Sequence, residues 1–315
     1  MNTWVKVGVP ATTANLGPGF DCLGLTLDLW NEAEFDLTGE GFRVEITGEG
    51  ADRLPTGESN LVVRAFLHCL ERKGIIRPAG LKVYMQNNIP TGSGLGSSAT
   101  AVVMGILSAN ELFDLKLRLE EKFEFAVDLE GHADNAATAL LGGLVVSLLT
   151  ETGWLAQRFD VPKMQTVVVL PAVNLPTREA RQALPRTIPH KDAVFNIGRA
   201  ILVVEALRTG DLDLLAQVTG DRLHEPYRLK LIPGAEQALL AVRKAGYAAA
   251  LSGAGPSLIA FSQTQDERAA QILCGAFERE GVNTRTFQPG TSSRGAWVQV
   301  GGKQLDVIDP GNNLF

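Results

Sequence analysis

The sequence predicts an α+β protein of two lobes. Three observations lead there. Its 315 residues exceed what one compact core needs and suffice for two packed ones. Stretches of strand and helix character follow one another without the strict alternation of a doubly wound sheet. The first run of elements closes near Asp160, which predicts an N-terminal lobe over 1–160 and a C-terminal lobe over 161–315.

The elements are read in order. Val5, Val7 and Val9 alternate with Lys6 and Gly8 as a strand does, and Pro10 ends it. Residues 11–24, rich in Gly and Asn, read as a loop. Arg43 to Gly48 reads as a strand, Asn60 to Lys73 as a helix, and Leu81, Val83 and Met85 as a further strand. The Gly/Ser run from Pro90 opens a helix reaching about Phe113, apolar nearly all round and therefore buried. Leu119 to Leu129 is a second helix, broken over 131–135, and a short helical turn and a strand over Leu144 to Leu149 follow. In the second half, Val167 to Leu170 is a strand, Arg178 to Leu184 a short helix, and Asp192 the N-cap of a helix ending near Thr209. Ala235 to Ala245, Ala248 to Leu251 and Leu258 to Phe261 read helix, strand, strand, with SGAGPS as the tight loop between the strands. Asp266 to Glu280 is a helix and Val282 to Phe287 the last strand, before a polar, mobile tail GNNLF.

Composition excludes several classes. With 45% hydrophobic and 20% charged residues the chain is of the soluble globular kind. Its formal charge of −6 argues against broad nucleic-acid binding, while leaving room for a local basic pocket. Cys22, Cys69 and Cys274 lie far apart, form no C-x-x-C pair, and read as small apolar fillers in a reducing cytoplasm. The four histidines make no H-x-x-x-H pair, so no zinc site is expected. No stretch reaches the length of a transmembrane span, and the first ten residues lack the apolar region of a signal peptide.

Pro90, Thr91, Gly92, Ser93, Gly94, Leu95, Gly96, Ser97, Ser98, Ala99 and Thr100 form the most informative stretch. Glycines let a backbone turn sharply and bring its N–H groups close to a ligand. A helix starting at Ser97 would aim its unsatisfied N–H groups and positive dipole end into the loop, which makes a site for a di- or triphosphate. The same letters also fit a plain strand-to-helix turn. No Lys-Ser or Lys-Thr follows the last glycine, so the loop is not a Walker A, and the even glycine spacing does not fit a dinucleotide fingerprint.

This stretch resembles the second motif of the GHMP kinases. VPATTANLGPGFDCLG (9–24) resembles their first motif in its homoserine kinase form, and LSGAGPS (251–257) resembles the third. The three motifs stand in order and the lengths match, so the resemblance covers essentially the whole chain. The resemblance implies a two-lobed GHMP kinase fold, with a ribosomal-protein-S5-like N-terminal lobe that binds ATP and a ferredoxin-like C-terminal lobe that closes the substrate site. It also implies ATP-dependent phosphorylation of the side-chain hydroxyl of homoserine, with Mg2+ and, on resemblance alone, a homodimer. Mevalonate kinases carry a lysine in the first motif, and none stands between Ala11 and Gly19 here. A sugar or mevalonate kinase and a non-catalytic nucleotide-binding module remain the alternatives.

Carried onto this chain, the resemblance makes Ser98 and Glu130 the Mg2+ oxygens, with helix capping as the other use of Ser98 and with Asp128 and Glu124 as nearby rivals for Glu130. Asp21 is expected to take the substrate ammonium, and Arg181 and Arg228 its carboxylate, which a planar guanidinium matches. Asn15 would bond the reacting hydroxyl or the amino group, and Thr177 sits where the family has a hydroxyl near the substrate. Gly253 and Gly255 would bring backbone to the site or form an ordinary turn. Asn60 would reach adenine or cap its helix. Asp134 and Asn135 join the site with the catalytic base unassigned, and His132 is expected to satisfy a backbone carbonyl.

Overall fold

A computed structural model describes residues 4–307, so the expectation for the tail at 311–315 falls outside the described residues. The chain runs β1 (Trp4–Ala14), β2 (Leu23–Thr38), β3 (Gly41–Gly48), α1 (Leu61–Arg72), β4 (Gly80–Asn87), α2 (Ser97–Phe113), α3 (Leu119–Glu130), α4 (Asp134–Leu141), β5 (Leu144–Thr150) and β6 (Gly153–Phe159). It continues with β7 (Gln165–Pro171), α5 (Thr177–Gln182), α6 (His190–Thr209), α7 (Leu212–Val218), α8 (Glu225–Arg228), α9 (Ala235–Lys244), β8 (Ala249–Leu251), β9 (Leu258–Ser262), α10 (Glu267–Arg279), β10 (Thr284–Phe287), β11 (Trp297–Val300) and β12 (Lys303–Asp306).

The larger sheet has strand order β12-β11-β1-β2-β4-β3, with β5 pairing β2 and β6. Its inward residues Val5, Val7, Val9, Phe35 and Val83 pack with Phe66, Val102, Leu107 and Phe123 of the helices. Helices α1 and α2 touch closely because Gly105 has no side chain; a Cβ there would stand 2.4 Å from the Val62 carbonyl oxygen. The smaller sheet, β10-β7-β9-β8, shows the two-residue alternation of a strand buried on both faces. Val167 and Val169 face α9 and α10 through Leu239, Leu273 and Phe277. Val168 and Ile259 face the other way, toward Leu25, Leu95 and Leu144 of the first lobe and Val203 and Leu207 of α6. The two lobes therefore share a core behind the glycine-rich loop. The chain also returns at its end: β11 pairs antiparallel with β1 through Lys6–Gln299 and its neighbours.

Four departures from the sequence expectations have physical causes. Pro10 does not end β1. It stands where the β1–β2 register shifts, and a proline lacking an N–H is tolerated at such an irregularity. The loop accordingly begins at Asn15, not Ala11. Strand β2 was not foreseen, although Leu25, Leu27, Ala33 and Phe35 alternate. Asn31, Glu32, Glu34 and Asp36 dilute its apolar signal. Asp192 does not cap α6: extended backbone at Pro189 starts the helix earlier, and Asp192 pairs with Arg222 at 3.1 Å. Strands β6, β11 and β12 and helices α7 and α8 were likewise unforeseen.

Candidate active site

The glycine-rich loop connects β4 to α2. Gly92, Gly94 and Gly96 have φ of 68°, 80° and 70°, the left-handed region that side chains avoid. Added Cβ atoms would strike Ser252 O from Gly94 at 2.3 Å and Thr12 Oγ1 from Gly96 at 2.0 Å, but from Gly92 they would meet open space. No side chain caps α2, so the first N–H groups of the helix remain free for a ligand. In front of them lies a cleft of about 530 Å³ lined by Gly92, Ser93, Gly94, Gly96, Ser97 and Ser98. A second cavity of about 260 Å³ meets it at Gly92, Ser97 and Ser98 and is walled by Thr91, Pro55, Leu61 and Met85. Pro90, Leu95, Ala99 and Thr100 line neither. Leu95 and Ala99 are core residues, and the Thr100 hydroxyl donates to Ser97 O at 2.8 Å. Asn60 is in the wall of the second cavity, where it caps α1: its Oδ1 accepts from Val62 N at 3.0 Å and its Nδ2 donates to Pro55 O at 2.6 Å.

Ser98 Oγ, in the first turn of α2, donates to Glu130 Oε1 at 2.6 Å. Burial pushes the Glu130 carboxyl above its ordinary value, Asp134 adds to this, and Ser98 and His132 oppose it. The rivals point elsewhere. Asp128 pairs with Arg72, and Glu124 lies 3.1 Å from the same guanidinium, so both hold α3 against α1. A hydroxyl and a carboxylate side by side fit a hard cation such as Mg2+, which takes one or two protein oxygens and completes its shell with phosphate and water. Among the described residues no group of three or more His, Cys, Asp or Glu forms a cage of its own.

Next to this pair, buried Asp134 opens α4 and accepts through Oδ1 from Asn135 N at 2.7 Å and Asn135 Nδ2 at 3.2 Å. Asn135 Oδ1 in turn accepts from Thr12 Oγ1 at 2.7 Å. His132 faces Asp134, with Nδ1 3.3 Å from Oδ1, rather than a backbone carbonyl as expected, and that carboxylate raises the imidazole pKa. The reason is local: the break at Gly131 turns the chain so that both side chains enter the cleft. The Cys22 thiol is pushed up to about 11 by burial, aided by Asp134 and Asp21, so it stays a thiol at neutral pH.

The far end of the cleft gathers residues distant in sequence. Asp21 and Arg181 form a two-pronged pair, both contacts at 2.9 Å. Arg228 is only 2% exposed, and among the described residues no carboxylate pairs with it. Its guanidinium donates to Ala180 O and Gly253 O at 3.3 Å, lies 3.4 Å from His224 Nδ1, and has its pKa lowered by burial to about 10. Asn15 holds the first and third motifs together: Nδ2 donates to Gly253 O at 2.7 Å and Oδ1 accepts from Asp21 N at 2.9 Å. Thr177 and Gly253 line the cleft, whereas Gly255 does not and closes the turn through its N–H to Ser252 O. Ser252 Oγ bonds both Thr13 Oγ1 and Gly94 O at 2.9 Å. Besides Ser252 and Thr13, three more participants lie outside the residues expected from the sequence. Thr12 lies inside the first motif and was open to inference from it. Arg178, which lines the cleft, and buried His224, which touches Arg228, carry no local signal.

The N-terminal domain model of the GHMP kinases matches residues 60–143, and the C-terminal model of the same family matches 203–279. The chain belongs to the GHMP kinase family. Among GHMP kinases of curated name it is 42% identical over 294 residues to a homoserine kinase of Moorella thermoacetica, covering 93% of this chain and 99% of that one. It is also 42% identical to a homoserine kinase of Gloeobacter violaceus, covering 93% and 98%. A solved homoserine kinase of Cytophaga hutchinsonii superposes with a TM-score of 0.80 at 32% identity over 95% of this chain and 98% of that one. Mevalonate kinase of L. major, at 19% identity and a TM-score of 0.63, shares the fold. The two-lobed α+β expectation is thus met by a two-domain GHMP kinase fold, and the use of ATP follows from the family.

Proposed function

We propose that the protein transfers the γ-phosphoryl of ATP to the side-chain hydroxyl of L-homoserine, giving O-phospho-L-homoserine for threonine biosynthesis. The observation that carries this reading is the buried guanidinium of Arg228, which pairs with no carboxylate among the described residues and stands at the end of the cleft. An unpaired buried charge is costly, and a substrate carboxylate relieves that cost. Arg181 then supplies a second fork, and Asp21 exchanges part of its pairing with Arg181 for the substrate ammonium. An α-amino acid matches both charges; mevalonate offers a carboxylate to Arg228 but no ammonium to Asp21, and a sugar offers neither. The curated relatives at 42% identity are named for the same activity.

In this reading the adenine enters the smaller cavity beside Asn60, and the phosphates cross Gly92 to the N-terminus of α2. Ser98 and Glu130 hold Mg2+, which would neutralise charge on the phosphates. Asn15, with one hydrogen-bonding position left at each end of its amide, aligns the homoserine beside Asp134 and Asn135. Those two residues keep the region polar, and the hydroxyl proton leaves to a phosphate oxygen. Residues 1–160 serve as the ATP-binding lobe and 161–315 as the lobe that closes the substrate site. A homodimer in the cytoplasm, with no nucleic-acid partner, completes the proposal. The test is ADP release with Mg-ATP and a panel of homoserine, serine, threonine, mevalonate and galactose. Turnover of homoserine well above the others is expected; turnover of mevalonate or galactose without homoserine overturns the assignment.

A further inference from the structure

The cleft carries one more cation than an amino-acid substrate needs. Among the described residues its arginines are Arg178, Arg181 and Arg228, and no lysine lines it. Arg181 is held by Asp21 through two nitrogens, and Arg228 is buried against Ala180 O, Gly253 O and His224. Arg178 differs from both. It is exposed, and among the described residues its side chain makes no ion pair and no hydrogen bond.

Helix α5 sets its direction. Thr177 and Arg178 stand four and three residues before Arg181, all three line the cleft, and Ala180 is buried behind them. Side chains at those spacings share one face of a helix. Arg178 therefore enters the cleft from the second lobe, beside the guanidinium assigned to the substrate carboxylate. The first lobe leaves it a task. That lobe offers the phosphates backbone N–H groups and the Ser98 hydroxyl, and its one cleft-lining side chain able to carry positive charge, His132, faces Asp134. Phosphoryl transfer spreads charge over three equatorial oxygens, and stabilising that charge is most of what a protein contributes.

We propose that Arg178 is a catalytic residue that grips the γ-phosphoryl group of ATP from the substrate side of the cleft. In the step it serves, the homoserine hydroxyl oxygen bonds to the γ-phosphorus as the bond from that phosphorus to the bridging oxygen breaks. The electron pair leaves on ADP, and the hydroxyl proton passes to a phosphate oxygen. The three equatorial oxygens stay on phosphorus throughout, so a guanidinium fork can hold two of them before and after transfer. A side chain tied to no other residue can follow the group as it moves.

This proposal deepens the kinase reading and rests on it, but one arm of its test needs no acceptor. Calorimetry with a non-hydrolysable ATP analogue and with ADP, each with Mg2+, reads the γ-phosphoryl contact alone. Arg178→Ala should weaken the analogue about tenfold and leave ADP unchanged, because only the analogue carries the group that Arg178 grips. In turnover, kcat should fall at least about a hundredfold while KM for homoserine hardly changes. Inhibition by O-phospho-L-homoserine should weaken as well. Arg178→Lys should lie between, since lysine keeps the charge and loses the fork. Arg186→Ala, an exposed arginine that does not line the cleft, is the control for general loss of positive charge, and it should match wild type in every arm. Thermal melts check that each variant is folded. Equal losses for the analogue and ADP, no loss for either, an unchanged kcat, or the same defects in Arg186→Ala would each overturn the assignment. If wild type does not turn over homoserine, the substrate reading falls, and the nucleotide arm still decides Arg178.

Discussion

At the scale of single residues, the cleft is a set of charges kept waiting. Glu130 shows this most plainly. Burial raises its carboxyl pKa, so its charged form is disfavoured in the folded protein without a cation. With the folded pKa above the unfolded one, this group favours folding at low pH and loses that contribution as pH rises through the folded value. Glu130→Gln should therefore lower turnover and raise the Mg2+ requirement while leaving the metal-free melting temperature equal or higher. Asp128→Asn, which loosens only the contact with Arg72, should keep near wild-type turnover. A crippled Asp128→Asn beside a healthy Glu130→Gln would move the metal to the other carboxylate. Arg228 makes the complementary case. Arg228→Lys keeps a cation but loses the fork, and charge-assisted bonds of about 1.5–3 kcal/mol translate to roughly a tenfold to hundredfold rise in KM for homoserine. KM for ATP should hardly change. Because burial also depresses an ammonium, that variant's KM should climb more steeply with pH through the alkaline range than that of wild type, whose guanidinium keeps its proton up to about 10.

At the scale of elements, the glycine-rich loop separates two kinds of glycine that read alike in sequence. At Gly96 a side chain would meet Thr12 rather than phosphate, so Gly96→Val should lower the melting temperature as well as ATP affinity. At Gly92 the Cβ would project into open cleft where the two cavities join. Gly92→Ala should cost about 1–2 kcal/mol of left-handed strain, a modest drop in melting temperature, with a disproportionate rise in KM for ATP. Thermal melts and initial rates on both variants check the distinction. Equal effects on stability and ATP use at both positions would mean that the loop is only a turn. Helix α3 makes the same point about direction. Asp128 and Glu130 are two residues apart, and helical geometry turns one toward α1 and the other toward Ser98.

At the scale of the molecule, the site exists only because two lobes are held in register. Asn15 to Gly253, Asp21 to Arg181, and Ser252 to both Thr13 and Gly94 join residues more than 150 positions apart. Ser252→Ala leaves the buried Gly94 carbonyl and Thr13 hydroxyl without this partner, at about 1–3 kcal/mol. It should lower the melting temperature by several degrees and raise KM for ATP and homoserine together, because both half-sites depend on the joint. A rise in only one of the two constants would show that Ser252 serves that half-site alone. The sequence by itself determined the class of chemistry. Backbone conformation and helix polarity are local, so a Gly/Ser run before an apolar helix already describes an anion site, and three ordered motifs mark the family. It also located most helices, whose periodicity is carried within a dozen residues. Only the tertiary structure decided which carboxylate faces Ser98, that Arg228 is buried with no acid paired to it among the described residues while Arg181 has one, and that His132 meets Asp134. It also decided that β11 and β12 complete the first sheet. Those facts depend on which distant segments pack together, and pairing across the fold leaves no periodic trace in the residues that take part.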